Sequence, residues 1–306
     1  MATPLGKTLL VVNPVAQSGN GRKAALVAEE RLRSHLAPKD LVVKLTETKD
    51  HARAIAAKAT AFDTLVVLGG DGTIHETVNG LMTIPEAQRP TLALLPMGSG
   101  NDYARTLNLS FKLEESLEQL LDSSPKLLDL GCCNGEYFME TVSFGLDAAI
   151  AIDTIDRRAR TGRTGTRLFL ESGIAMLLHN RLTYDFVLQR EGEQAQDGRM
   201  LLLAVQVGQT YGGGFRVCPL AQPDDGIFEL CIAHGPVGLV KALVVFLLAK
   251  NARHTKFKII EFQKAASLSL GFSGKVPPAQ IDGEPFYGEE FEIACLPKAL
   301  RVLVPN

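Results

Sequence analysis

The chain is organised around one stretch, Leu65-Val66-Val67-Leu68-Gly69-Gly70-Asp71-Gly72-Thr73-Ile74-His75-Glu76. Its four apolar residues predict a buried strand, and the three glycines that follow predict a tight turn. Ile74, Val78 and Leu81 then recur at helical spacing, which predicts a helix. Glycine lacks a Cβ, so backbone N–H groups in such a turn can come close to a ligand. The first N–H groups of a helix have no partner within the helix and can bind an anion. The stretch therefore predicts a strand–turn–helix corner that can hold a phosphate.

Asp71 is the unexpected member of this turn, because its carboxylate would repel a phosphate. Its presence makes sense if a cation lies between the two groups, or if the carboxylate takes a proton from an attacking hydroxyl. The alternative is an ordinary strand–turn–helix corner in which Asp71 caps the helix. The turn alone does not decide between these interpretations.

Two further loops of similar composition flank this corner. One runs from Asn13 to Lys23 after a first apolar run, and the other runs from Pro96 to Arg105 after a later one. Strands are predicted at 8–12, 41–45, 65–68 and 91–95, with helices at 23–36, at 52–60 and after residue 101. Such alternation indicates a parallel sheet, whose ligands bind at the carboxyl ends of the strands. All three glycine-bearing loops follow strands, so they are predicted to form one nucleotide-phosphate site.

The pattern changes after about residue 125. Short β-type runs are predicted at 142–152, 182–188, 200–207, 227–233, 266–271 and 291–296, with helices near 167–178 and 237–250. We therefore predict an α/β protein of two domains. Residues 1–128 form the nucleotide-binding α/β domain with a parallel sheet, and residues 129–306 form a β-rich second domain.

The composition bears on three properties: nucleic-acid binding, the state of the cysteines and membrane spanning. The chain has 306 residues, with 32 Lys plus Arg against 34 Asp plus Glu, so its charge gives no sign of a nucleic-acid partner. The five cysteines are odd in number and include no C-x-x-C pair, which favours reduced thiols in a cytosol. The longest apolar run, 237–249, contains Lys241 and falls short of the ~20 residues that span a bilayer. We expect a cytoplasmic protein without a signal peptide.

Two basic clusters are candidates for contact with a membrane. The first consists of Arg157, Arg158, Arg160, Arg163 and Arg167, and the second of Lys250, Arg253, His254, Lys256 and Lys258. Each is either a solvated face or a surface that binds anionic lipid. Peripheral contact with the inner face of a membrane is therefore an expectation, and a homodimer is compatible with the sequence.

Taken together, the motifs resemble the diacylglycerol kinase catalytic family. The similarity is to the bacterial soluble lipid kinases of the YegS/DgkB/BmrU type, with sphingosine and ceramide kinases further away. The order and spacing match from about residue 9 to residue 286. The motifs are Asn13-Pro14 with Ser18-Gly19, the 69–76 turn with Asn79-Gly80, the run from Gly98 to Arg105, the segment Pro219 to Gly226, and Ile281-Asp282-Gly283-Glu284-Pro285.

The resemblance implies an ATP-dependent kinase that uses Mg²⁺ to phosphorylate a lipid hydroxyl. The lipid would be diacylglycerol, giving phosphatidic acid, or a related glycerolipid or sphingoid lipid presented at a membrane surface. The implied fold is a nucleotide-binding α/β domain followed by a β-sandwich-like domain, with the active site in the cleft between them. The implied nucleotide contacts are Asn13, Ser18, Gly19, Thr46, Gly69, Gly70, Asp71, Gly72, Thr73, Ile74, His75, Glu76, Gly98, Ser99 and Asn101.

The same resemblance implies a metal site and a catalytic base. The metal would be held by the Asp225 carboxylate and by backbone carbonyls that fall on Gln222 and Ile227. Oxygen ligands of this kind suit Mg²⁺ rather than zinc. The base is Glu284, with Asp282 beside it, by similarity to the bacterial members, but Asp71 by similarity to the sphingosine kinases. Without the family pattern, Asp224-Asp225-Gly226 and Asp282-Gly283 are ordinary turn signals.

Two other functions stay open at this point. NAD kinases share the glycine turn, so an NAD kinase-like phosphotransferase is one alternative, although the loops at 13–19 and at Asn101-Asp102 argue against it. A non-catalytic nucleotide-binding regulator is another. It predicts the loss of acidic positions, yet the candidate carboxylates are all present. His75 stands where bacterial relatives commonly carry Asn, and this blurs the assignment of the lipid.

Overall fold

A computed structural model describes residues 5–179 and 181–306, and the side chain of Ser18 lies outside the described part. Contacts between residues divide the chain into two units. The first consists of residues 5–128 together with Lys298–Asn306, and the second is Asp129–Pro297. Each unit has its own hydrophobic core.

The first unit alternates strands and helices, as predicted. In chain order its elements are β1 (Thr8–Val12), α1 (Ala16–Gly19), α2 (Gly21–Arg33), β2 (Leu41–Leu45), α3 (His51–Ala56), β3 (Thr64–Gly69), α4 (Asp71–Leu81), β4 (Thr91–Pro96), α5 (Asp102–Thr106) and α6 (Leu113–Leu121). Short 3₁₀ helices lie at Pro38–Asp40 and Glu86–Gln88. The strands pair in parallel in the order β2-β1-β3-β4. Parallel pairing follows because each connection between neighbouring strands carries the chain back through a helix.

The four predicted strands of the first unit are confirmed. Strands β1 and β3 are buried along their whole length, which explains why they read as continuous apolar runs. The helix predicted at 23–36 begins earlier, at Gly21, and ends at Arg33. The start of this helix packs closely against the preceding loop, since a Cβ on Gly21 would lie 2.1 Å from the carbonyl oxygen of Asn13. Only glycine permits this approach of the helix to the loop.

The second unit is built mainly of antiparallel strands. Its elements are β5 (Ser123–Cys133), β6 (Glu136–Phe138), β7 (Thr141–Gly145), α7 (Leu146–Thr161), α8 (Thr166–His179), β8 (Tyr184–Arg190), β9 (Gln196–Gln206), β10 (Phe228–His234), α9 (Leu239–Ala249), β11 (Ile260–Ala265), β12 (Ser267–Ser273), β13 (Ala279–Ile281), β14 (Glu284–Phe286) and β15 (Glu290–Pro305), with a 3₁₀ helix at Arg253–Lys256. The start of β5 and the end of β15 belong to the first unit. The strand order is β14-β13-β7-β9-β8-β12-β15, and β10 pairs with β9 and β11.

The strand predicted at 142–152 is confirmed over residues 142–145 and is wrong from residue 146 onward. Strand β7 ends at Gly145, and helix α7 begins at Leu146. Gly145 makes the sharp change of direction at φ +92°, where a side chain would be strained. The buried positions Leu146, Ile150 and Thr154 then follow at helical spacing. The β-branched residues of this segment resembled a strand, but its alanines favour the helix.

Helices predicted near 167–178 and 237–250 are confirmed as α8 and α9. No helix among the described residues is long and apolar enough to cross a bilayer. The last nine residues, predicted with the second domain, belong to the first unit, where Val302 pairs with Leu92 of β4.

Candidate functional site

The loops after the four parallel strands lie in one row at the carboxyl edge of the sheet. The strands end at matching levels, since Val12 lies opposite both Leu45 and Leu68. Three backbone hydrogen bonds extend the ladder into the loops: Thr46 N–H to Val12 O at 2.8 Å, Asn13 N–H to Leu68 O at 2.9 Å, and Met97 N–H to Gly69 O at 2.7 Å. The predicted convergence of the glycine-bearing loops is therefore confirmed within the first unit.

Two glycines, one from each of two neighbouring loops, touch directly. A Cβ on Gly70 would lie 2.7 Å from the Cα of Gly98, and a Cβ on Gly98 would lie 2.5 Å from the Cα of Gly70. Both distances are shorter than any ordinary carbon–carbon contact. The absence of side chains at these two positions thus allows the loops after β3 and β4 to pack backbone against backbone.

Asn101 holds the second of these loops in shape. Its side chain accepts a hydrogen bond from the Gly98 N–H at 2.7 Å and donates one to the Gly98 carbonyl at 3.1 Å. Asn101 itself is left-handed, with φ +52°, a conformation that Asn tolerates better than most residues. Ser99 and Gly100, between the two ends of this clamp, stay partly exposed. The clamp therefore presents the backbone of 98–100 at the surface of the first unit.

Asn13 ties the first loop to helix α4. Its side-chain amide donates to the Thr73 hydroxyl at 3.0 Å, and its carbonyl accepts from the Val15 N–H at 3.1 Å. Thr73 lies in the first turn of α4, so this pair fixes the position of the loop after β1 relative to the helix N-terminus. The contact explains why an Asn after β1 and a Thr after the glycine turn occur together.

The N-terminus of α4 has the features of an anion site. Gly70 precedes the helix in an extended conformation, and none of the described side chains caps the helix at this position. Gly70, Asp71 and Gly72 are partly exposed. The N–H groups of the first turn lack helical acceptors, and the helix dipole adds partial positive charge there. This end of α4 can therefore bind a phosphate oxygen.

Three of the residues predicted to contact the nucleotide are buried or make hydrogen bonds within the protein. Ile74 and His75 are buried, and the His75 carbonyl accepts from the Asn79 side chain at 3.0 Å. The Glu76 carboxylate accepts from the Ala52 N–H at 3.2 Å and so stabilises the first turn of α3.

Of the two predicted nucleotide contacts in the loop after β1, Gly19 is exposed at φ +94°, and the Ser18 side chain lies outside the described residues.

In the second unit, the segment that contains Asp225 is held by a buried aspartate that the sequence analysis did not single out. The Asp129 carboxylate accepts from the Gly226 N–H at 2.7 Å, and the Asp129 N–H donates to the Pro223 carbonyl at 2.8 Å. The Asp225 carboxylate accepts from the Ile227 N–H at 3.2 Å. Asp129 is a lone acidic residue within a strand, so no local motif could have indicated this role.

This segment offers hard oxygen ligands and a negative field, both of which suit Mg²⁺. Burial raises the pKa of Glu229, Lys264 opposes that rise, and the neighbouring Asp225 adds to it. Burial also raises the pKa of Cys295 to about 12, and Asp129 and Asp225 contribute to that rise. Within residues 5–179 and 181–306, no group of three or more His, Cys, Asp or Glu side chains could hold a metal. An ion here would therefore depend on backbone carbonyls and water besides Asp225.

Asp282 and Gly283 form the two-residue turn between β13 and β14. Both have positive φ, +46° and +90°, as the favoured hairpin turn requires. The Asp282 carboxylate accepts three backbone hydrogen bonds, from Met139 at 2.9 Å, Glu140 at 3.0 Å and Thr141 at 3.1 Å. Glu284 follows the turn as the first residue of β14 and is partly exposed. Asp282 thus orients the turn that carries Glu284.

Buried polar side chains lie next to this turn and hydrogen-bond to it. Gln280 accepts from the Gly283 N–H at 2.6 Å and donates to the Ser143 hydroxyl at 2.5 Å. Ser143 lies beside Asp147, which is buried near Tyr211. Burial raises the pKa of Asp147 to about 7, and the nearby Ser143 and Tyr211 side chains partly offset the rise in the pKa. The sequence analysis missed Gln280 and Asp147, since neither belongs to a motif with its own chemistry.

Comparisons with known proteins identify both halves of the chain. Residues 7–133 match the diacylglycerol kinase catalytic domain, and residues 140–304 match the YegS C-terminal NAD kinase beta sandwich-like domain. A Chromohalobacter salexigens protein named "Probable lipid kinase YegS-like" is 31% identical, over 94% of this chain and 92% of its own. A Pseudomonas aeruginosa protein of the same name is 30% identical, over 98% and 94%. The chain belongs to the YegS-like lipid kinase family.

Solved structures agree with the fold of this YegS-like chain. A structure described as a diacylglycerol kinase from Bacillus anthracis has a TM-score of 0.77 and 21% identity, over 99% of this chain and 98% of its own. An NAD kinase from Archaeoglobus fulgidus in complex with ATP has a TM-score of 0.55 and 15% identity, over 98% and 93%. The family and the fold class predicted from the sequence are confirmed.

Proposed function

We propose that this YegS-like chain is an ATP-dependent lipid kinase that transfers the γ-phosphate to the hydroxyl of diacylglycerol, giving phosphatidic acid. The contact between Gly70 and Gly98 carries the proposal, because it brings two backbone loops together beside the open N-terminus of α4. Such a surface of backbone N–H groups can bind the phosphates of a nucleoside triphosphate. The family supplies the lipid class, since the relatives are named lipid kinases.

The reaction is a phosphoryl transfer. The lipid hydroxyl oxygen bonds to the γ-phosphorus, the bond from that phosphorus to the β–γ bridging oxygen breaks, and ADP leaves. The hydroxyl proton passes to a carboxylate. Catalysis of this kind depends on positioning and on neutralising charge. The backbone around Gly70, Gly72 and Gly98 would hold the phosphates, and the Asn13–Thr73 hydrogen bond keeps the helix N-terminus in place.

Mg²⁺ would neutralise part of the phosphate charge when bound. The residues that would hold a metal are Asp225, through its carboxylate, and Gln222 and Ile227, through backbone carbonyls. Asp129 would position this segment, because it binds the Gly226 N–H. The partly exposed Asp71 at the start of α4 provides a second carboxylate near the proposed phosphate site.

Two carboxylates are candidates for the base, Asp71 and Glu284. Asp282 is a poorer candidate, since both of its oxygens already accept backbone hydrogen bonds. The variants Asp71→Asn and Glu284→Gln separate the two roles. The variant that still binds ATP by calorimetry but transfers no phosphate identifies the base. A variant that also loses ATP binding has lost a nucleotide or metal contact instead.

The function is tested by incubating the chain with [γ-³²P]ATP and Mg²⁺, and with diacylglycerol, ceramide, sphingosine or NAD as acceptor. We expect labelled phosphatidic acid, and we expect its formation to depend on Mg²⁺. Labelled NADP without a labelled lipid would replace this proposal with the NAD kinase alternative. Nucleotide binding with no labelled product from any acceptor would favour the regulator alternative.

A further inference from the structure

Helix α9 exposes an apolar stripe. Val240, Val244 and Leu247 are 77%, 41% and 45% exposed, and they recur at i, i+4 and i+7. This spacing places them on one face of the helix. The opposite positions, Ala242, Val245 and Ala249, are buried in the core of the second unit. The helix therefore has buried apolar residues on one side and exposed apolar residues on the opposite side.

Helix α8 runs beside α9 and extends the apolar surface. A Cβ on Gly173 of α8 would lie 2.1 Å from the ring of Phe246, so the two helices touch there. The Arg181 side chain, just past the end of α8, donates to the Val237 carbonyl just before α9 at 3.1 Å. The exposed apolar side chains on this neighbouring helix are Ile174 and Leu178, and Leu182 is a third, two residues before β8. We call these three and the three on α9 the α8–α9 surface.

The charges on α9 and on the segment that follows it have one sign, whereas Glu171 on α8 is paired with Arg163 and Arg167. Residues 235–260 contain no Asp or Glu, although the whole chain has a net charge of −2. Four exposed basic residues lie in this segment, Lys241, Arg253, Lys256 and Lys258. In the part of the chain that the structure describes, none of these four forms an ion pair with an acidic side chain. Their charges are thus available to an external anion.

We propose that the α8–α9 surface docks on an anionic phospholipid bilayer. The apolar stripe enters the boundary between headgroups and acyl chains, while the four basic side chains contact lipid phosphates. An amphipathic element with apolar residues and a basic rim binds membranes by both effects together. Charge complementarity selects this occupant over a second copy of the chain. In a two-fold contact the same patch faces itself, so the basic rims would repel.

The inference deepens the proposed function, on which it rests, by assigning the surface through which the enzyme reaches its lipid. Diacylglycerol resides in the bilayer, so a kinase that docks there meets its acceptor without extracting it into water. Vesicle binding, however, is measured without ATP and without turnover. Its outcome is therefore separate from the outcome of the kinase assay.

The test is sedimentation of the full chain with vesicles of phosphatidylglycerol and phosphatidylcholine in equal parts, at low and high salt. Val240→Ser/Val244→Ser/Leu247→Ser should weaken binding at least about ten-fold. Arg253→Gln/Lys256→Gln/Lys258→Gln should weaken it about five-fold per residue, roughly 100-fold in all. Each variant keeps its fold if its thermal unfolding matches that of the native chain, as expected for exposed positions.

Matched controls are available in the same chain. Leu26, Val27 and Val187 are 69%, 42% and 41% exposed, close to the values on α9, and their triple change to Ser should leave vesicle binding unaltered. Lys39, Lys58 and Lys275 are exposed basic residues elsewhere, and their triple change to Gln should have little effect. Phosphorylation of a short-chain diacylglycerol in detergent micelles should be the same in all four variants.

Three results would overturn the inference. One is equal vesicle binding by the native chain and the α9 triple variant. Another is no binding of the native chain to anionic vesicles at low salt. The third is a native dimer that dissociates in the α9 triple variant, which would make the surface an interface between two copies. If the native chain binds vesicles as expected but phosphorylates no lipid, the surface stands and the proposed function fails.

Discussion

The most informative perturbation is Gly70→Ala. A Cβ at this position would lie 2.7 Å from the Cα of Gly98, whereas carbon atoms in contact lie about 3.5–4.0 Å apart. The two loops must therefore separate by about 1 Å. Gly70 has φ −101°, which alanine adopts without strain, so the effect is purely steric. Displacing a reacting group by about 1 Å can cost roughly 100-fold in rate.

We expect Gly70→Ala to weaken ATP binding and to lower kcat/KM for lipid phosphorylation by about 100-fold. The overpacked contact should also cost about 1–3 kcal/mol of unfolding free energy. Calorimetric titration with ATP, steady-state kinetics and urea unfolding measure these three effects. Gly271→Ala in β12 is the control, because a Cβ there meets nothing within 4 Å.

Gly98→Ala provides an internal check, since it disturbs the same contact from the other loop. The double variant should lose less than the product of the two single losses, because the loops need to separate only once. ATP affinity in Gly70→Ala equal to that of the native chain would refute the account of the phosphate site.

Two further predictions concern the second unit. Asp282→Asn replaces one carboxylate oxygen with an amide that faces backbone donors, so we expect a loss of about 1–3 kcal/mol in urea unfolding. The exposed Asp197→Asn should cost far less, and equal losses would contradict the positioning role of Asp282. Burial raises the pKa of Asp147 from 3.8 to about 7, so its contribution to stability is fully present below pH 3.8 and is lost as the pH rises to about 7. The maximal change is about 4 kcal/mol, and Asp147→Asn should flatten the fall in unfolding free energy between pH 5 and pH 7. An unchanged slope in that variant would assign the pH dependence to other groups.

The sequence was most informative where local pattern and tertiary structure agree. Strands β1 and β3 are buried on both faces, so their composition alone identifies them. The glycine loops could be placed at one edge because parallel strands bring their carboxyl ends together. The sequence at the start of helix α7 resembles a strand, because the apolar run at 142–152 is too short to show a clear helical period. Only the structure shows that the chain changes direction at Gly145, just before α7 begins.

The supporting residues of the candidate site could not be predicted from the sequence. Asp129 contacts Gly226, which is 97 residues away along the chain, and Gln280 contacts Ser143, which is 137 residues away. Contacts of such separation leave no local pattern. The sequence predicts a turn at Gly70 and another at Gly98, but only the structure shows that the two glycines are in direct contact.

The most direct measurement of the central claim is the stoichiometry of the products. The native chain is incubated with ATP, Mg²⁺ and a short-chain diacylglycerol in detergent micelles, and ADP and phosphatidic acid are quantified together. The account predicts one phosphatidic acid for each ADP formed, with both formed about 100-fold more slowly in Gly70→Ala and at the native rate in Gly271→Ala. ADP formed without phosphorylated lipid, or no turnover while ATP binds normally, would contradict it.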